Sequence, residues 1–140
     1  MAGKMNSIFV DTQGWVAIIN KRDKFHDDDI RMKKSLIEQN TIFITTDFVL
    51  DETYTLTRIR LNHGMAVAFG EMIRRSQYVK VIQISEMFQD KAWEFFKKYE
   101  DKSFSFTDCT SFVIMEEFNL EKSFTNDHHF EQAGFSILLK

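Results

Sequence analysis

Four carboxylates in this chain stand where a carboxylate needs a reason: Asp11, Glu52, Asp108 and Asp127. Asp11 closes the apolar run SIFVD, and Asp127 follows SFT within the stretch FTNDHHF. Each falls at the end of an expected strand, although taken singly each is more simply the cap of the next helix. Glu52 has no such plain reading. In TDFVLDETYTLTRIRL, at about 100° per residue, Phe48, Val49, Leu56 and Ile59 fall along one arc with Glu52 in its middle. Asp51 falls opposite, beside Arg58, where a solvated charge belongs. An ionised carboxylate facing a core is costly unless something compensates for it. Arg60, at the margin of the arc, is the one basic candidate, so a bound cation explains the placement more simply than a salt bridge. Asp108 repeats the pattern, sharing a face with Phe112 and Met115 in FTDCTSFVIMEEF; an acid favoured by the helix dipole is its plain alternative. Four oxygen donors suit a hard divalent cation, Mg2+ or Mn2+, and four carboxylates gathered without one repel each other strongly.

Other polar clusters read more simply. His128 and His129 adjoin, so on a helix or strand they point in different directions. With Cys109 the sole cysteine and His26 and His63 the other histidines, a zinc site is not expected. His129 is expected to pack or hydrogen-bond near Phe130. HDDDI, residues 26–30, lacks the glycine and distant glutamate of a calcium loop and reads as a solvated helix start. Arg22, Arg31, Lys33 and Lys34 around it form a rim able to attract a nucleic-acid backbone.

The elements that must position these acids follow from periodicity. Apolar runs rich in β-branched residues alternate with helical patterns, the signature of parallel βα units. Strands are expected at 7–11, 41–45, 79–85, 123–125 and 135–139. Helices are expected at 12–20, 28–39, from Thr46 or Asp47 to about Leu61, and at 65–76, 85–99 and 106–118, with Asn62-His63-Gly64 as a stop signal. Five short strands wrapped by helices on both faces make an open α/β sandwich, three layers deep. Ligands of such sheets collect outside the carboxyl ends of the strands, where strand order reverses. That edge is where Asp11 and Asp127 fall.

The whole chain sets bounds. Its 140 residues, 44% apolar with fifteen phenylalanines, suit one domain with a real core. The lone cysteine fits a reducing cytoplasm. No apolar run approaches the roughly 18 residues of a membrane span. MAGKMNS lacks a secretory signal, and Met5 reads as a natural start behind a short leader, Met1–Lys4. A net charge of −3 is no basic footprint for passive nucleic-acid binding. Neutralising four carboxylates would turn the balance slightly positive, so a nuclease is not excluded.

The acids and their surroundings resemble the PIN-domain family, and within it the VapC-type toxin ribonucleases. The resemblance spans essentially residues 1–140. It is carried by IFVDTQGWVAI with Asp11 and Thr12, FVLDETYTL with Glu52, SFSFTDCTSF with Thr107, Asp108 and Ser111, and FTNDHHFEQAGF with Thr125 and Asp127. It implies a PIN-like fold and a metal-dependent endoribonuclease, the toxin of a type II toxin–antitoxin pair. Asp11, Glu52, Asp108 and Asp127 match the family's acidic quartet, catalytic and metal-holding, with Mg2+ or Mn2+ as cofactor. Thr12, Thr107, Ser111, Thr125 and Asn126 are the supporting residues. Asn126 replaces an apolar residue common in relatives. His128 stands where relatives often carry arginine and is expected, with Arg31, to meet the substrate. The implied partners are RNA, a cognate antitoxin and a second copy of the chain, in the cytoplasm and without a membrane. The alternatives are a PIN-like module that binds RNA or assembles without cutting, and a PIN nuclease of RNA processing or DNA.

Overall fold

The computed structural model describes residues 6–140; the proposed leader Met1–Lys4 and the start at Met5 lie outside the described residues. Five parallel strands form one sheet: β1 (Ser7–Val10), β2 (Ile42–Thr46), β3 (Val79–Ile82), β4 (Lys122–Phe124) and β5 (Ser136–Ile137). Their order is β3-β2-β1-β4-β5. The chain builds outward from β1 to β3, then crosses to the other side of β1 for β4. Strand order therefore reverses between β1 and β4, and the crevice beyond their carboxyl ends is the natural ligand site.

Among the described residues seven helices flank the sheet: α1 (Thr12–Ile19), α2 (His26–Glu38), α3 (Asp47–Arg60), α4 (His63–Arg75), α5 (Glu86–Lys98), α6 (Phe106–Glu117) and α7 (His128–Gln132). The core is rich in phenylalanine: Phe9, Phe112, Phe124 and Phe130 are completely buried, and Phe112 meets Phe130 edge-on with centroids 4.9 Å apart. Among the described residues no helix is long and apolar enough to cross a membrane.

The class of fold is the expected one, and the departures have local causes. The expected strand at 79–85 stops at Ile82 because Ile84 donates its N–H to the Asp47 carboxylate at 2.9 Å. At 135–139 only two residues form a strand, yet Leu138 and Leu139 still donate to Ser123 and Thr125 carbonyls. Asn62 is less a stop than a start: its side chain accepts from Met65 N–H and caps α4. The five-residue α7 was not expected, being too short to show periodicity. Ile59, assigned to the inward arc of α3, is 73% exposed, since the arc drifts past the sheet in the last turn.

Candidate metal centre

Asp11 and Asp127 both cap helices, as the plain reading had it, and that role leads them into the crevice. Asp11 leaves β1 in extended conformation and accepts the Gly14 N–H at 3.0 Å, starting α1. Asp127 accepts the His129 N–H at 2.9 Å, starting α7. Each cap fixes the carboxylate beyond its own strand, and β1 and β4 are neighbours. Thr125 couples the two. Its hydroxyl accepts the Asp127 N–H at 3.0 Å and also acts on Asp11 as a hydrogen-bond donor that favours ionisation.

Asp108 arrives from the other side, in the first turn of α6. Ser105 and Asp108 form a reciprocal capping box: Asp108 N–H donates to Ser105 Oγ at 3.0 Å, and Ser105 N–H donates to Asp108 Oδ2 at 3.1 Å. Burial raises the Asp108 pKa above the carboxylate norm, with Asp127 adding to the rise, against the Ser105 N–H and His129. Asp11 is only 5% exposed, and burial pushes its carboxyl up to about 8. The Gly14 N–H and Thr125 hydroxyl oppose that rise, while Asp127 and Asp108 reinforce it. These three carboxylates thus share one electrostatic neighbourhood, and their repulsion leaves a place for positive charge.

Glu52 is half-buried on α3 and makes no hydrogen bond or ion pair with a described residue. Its direction is read from its helix. Phe48, one turn earlier, packs on Phe106 at 6.4 Å, and Phe106 opens α6 two residues before Asp108. The exposed Asp51 looks the other way.

The supporting residues divide. Thr12 is 4% exposed and Ser111 1% exposed, and both hydroxyls are buried without a partner. Thr107 offers its carbonyl to Thr110 at 2.6 Å. Asn126 is half-buried between Thr125 and Asp127. Of the two residues expected to meet substrate, His128 is exposed and bonded to Glu131 at 2.6 Å. Arg31 is exposed and paired with Asp28.

Two residues escaped the sequence reading. His129 does not merely pack near Phe130: its Nδ1 lies 3.1 Å from Asp127 Oδ1 and 3.5 Å from Asp108 Oδ2, and its Nε2 lies 3.1 Å from Ser103 Oγ. Asp108, Asp127 and His129 form a group whose ligand atoms all lie within 4.8 Å of one another. Nothing in the pattern around His129 announced this. Asp29 was missed although the sequence carried a signal for it. HDDDI is not wholly a solvated helix start, because Asp29 is completely buried with both carboxylate oxygens unpartnered. Burial pushes its pKa to about 8; Lys33 opposes the rise, and Asp23 and Asp11 add to it. Asp29 precedes Met32 and Leu36 at the spacing of an inward helical stripe, the same test that singles out Glu52. A cavity of about 840 Å³ lined by Trp15, Ile37, Phe43 and Met72 contains none of the four acids, so the polar chemistry lies apart from that apolar groove.

A parallel sheet with carboxylates from two strand ends and a facing helix gathered at its point of reversal defines an α/β protein with an acidic crevice. The chain belongs to the PIN domain family, which matches residues 8–136. It is 34% identical over 128 residues to the 23S rRNA-specific endonuclease VapC20 of Mycobacterium tuberculosis, across 91% of this chain and 95% of that protein. The crystal structure of M. tuberculosis VapC20, a sarcin-ricin loop cleaving toxin, is similar with a TM-score of 0.87 at 32% identity, over 95% of this chain and 99% of that one. VapBC2 from Rickettsia felis, bound to a promoter DNA fragment, has a TM-score of 0.72 at 16% identity, over 94% and 97% of the two chains. This last likeness is one of fold alone.

Proposed function

We propose that this protein is a divalent-metal-dependent endoribonuclease of VapC type, the toxin of a toxin–antitoxin pair, using Mg2+ or Mn2+. The observation that carries the reading is the meeting of Asp11, Asp108 and Asp127 beyond β1 and β4, each within electrostatic reach of the others. An oxygen-rich donor set of this kind fits a hard divalent ion. Asp11, Asp108 and Asp127 would hold it, with Glu52 approaching from α3. An ion held there would supply countercharge for a scissile phosphate and lower the pKa of a bound water.

The chain's own residues supply the rest. Thr12 and Ser111 carry buried hydroxyls without a partner, free to bond once the site is occupied. A carboxylate not engaged by metal is placed to take a proton. The similarity to a 23S rRNA-specific endonuclease over nearly the whole chain supports RNA as substrate. The antitoxin partner follows from the similarity to VapC20, described as a toxin. A second copy of the chain has an apolar surface available on α5, where Trp93 and Phe96 stack with centroids 5.9 Å apart and stay largely exposed.

The test incubates purified protein with ribosomal RNA, with MnCl2 or MgCl2 or with chelator, beside Asp11→Asn. Metal-dependent cleavage by the native chain and at least about a hundredfold less by the variant is expected. Cleavage by both forms would assign the activity to a contaminant, and cleavage by neither would favour an RNA-binding module.

A further inference from the structure

We propose that His129 is a nitrogen ligand of the metal centre, beside Asp108 and Asp127, and that it biases the site toward Mn2+ over Mg2+. The proposal rests on the metal-dependent reading above but adds a donor that an all-carboxylate site lacks.

Spacing is the first argument. A six-coordinate ion with ligand bonds of about 2.1 Å needs adjacent donors about 3 Å apart. His129 Nδ1 already stands 3.1 Å from Asp127 Oδ1 and 3.5 Å from Asp108 Oδ2. The three donors therefore need only small shifts to share one ion.

Orientation is the second argument. Ligating histidines characteristically have their other nitrogen held by an oxygen, which fixes the ring and its tautomer. Here Nε2 lies 3.1 Å from Ser103 Oγ. The ring also stands edge-on to Phe104, at 89° with centroids 5.8 Å apart. His129 also keeps 31% of its side chain exposed, which leaves a route for an ion to enter.

The protons balance. Without a cation, an Nδ1–H can bridge the two carboxylates. When Nδ1 becomes a ligand, a neutral ring moves that proton to Nε2, which then donates to Ser103 Oγ. A doubly protonated ring instead releases one proton to solvent. Metal selectivity follows from donor type, since imidazole suits transition metals whereas magnesium favours oxygen.

The test is spectroscopic. MnCl2 is titrated into the purified protein, and pulsed electron paramagnetic resonance is read for 14N modulation from a directly bound imidazole. The native chain and His128→Gln are expected to show it, and His129→Gln to lose it. Calorimetric titration with MnCl2 and MgCl2 should show manganese affinity falling about tenfold or more in His129→Gln, with a smaller fall for magnesium. Bound manganese without nitrogen modulation in the native chain, alongside intact RNA cleavage, would overturn the proposal and leave the nuclease reading standing. No binding of either ion at millimolar concentration, with no cleavage, would overturn both.

Discussion

Asp29 and Asp11 carry the sharpest consequences at the scale of single residues. Each is held protonated up to about pH 8 in the fold against an ordinary value of 3.8. The folded chain therefore binds more protons than the unfolded one across that window. Their stabilising contribution is complete below about pH 4 and is lost as pH rises through 8. The metal-free protein is expected to melt at a higher temperature at pH 5 than at pH 8. Asp29→Asn should gain about 2 kcal/mol at pH 8 and little at pH 4, and chemical denaturation at both pH values checks it. Asp11 has a further link. Under the metal-dependent reading a bound ion would displace its proton, so manganese affinity should climb between pH 6 and pH 8 with measurable proton release. Asp11→Asn should flatten that climb.

At the scale of elements, the crevice depends on how closely α1 lies on β4. A Cβ added at Gly14 would sit 1.9 Å from the Phe124 carbonyl oxygen and 3.0 Å from Val10 Cγ1. That backbone cannot yield without moving the strand that leads to Thr125 and Asp127. Gly14→Ala is expected to cost about 3 kcal/mol and to weaken manganese binding, as denaturant unfolding and calorimetry would read. Removal of the Ser105 hydroxyl should be milder, about 1 kcal/mol for a lost cap, because the backbone N–H of Ser105 still reaches Asp108. Much of this was legible in sequence. Alternation placed five strands, two of them clearly longer than they are, and the arc that pointed to Asp108 led to the group it forms with Asp127 and His129. The capping box of Ser105 and Asp108 was not among the expected features, although S-x-x-D is a spacing such a box can take. What was not legible arises between elements. Ser103 and His129 meet only because α7 folds back beside the loop before α6, and a five-residue helix has too little periodicity to show its faces.

The whole molecule adds surfaces and topology. Met87, Trp93 and Phe96 on α5 are 57%, 51% and 40% exposed, a concentration of large apolar side chains that water does not favour. If a second copy covers them, Trp93→Glu should shift the protein to monomer in analytical ultracentrifugation while its melting temperature stays nearly constant. An unchanged sedimentation coefficient would move the interface elsewhere. The net charge of −3 makes no general attraction for RNA, so binding must come from the crevice and its rim.

The pairing of β1 with β4, in register from Phe9 with Ser123 to Val10 with Phe124, has one more consequence. It joins residues 9 and 10 to residues 123 and 124, so Asp11 and Asp127 meet only after the residues between them have been synthesised. No shorter amino-terminal piece can carry the assembled crevice. Under the nuclease reading, no activity can arise during synthesis until β4 has brought residue 127 to the sheet.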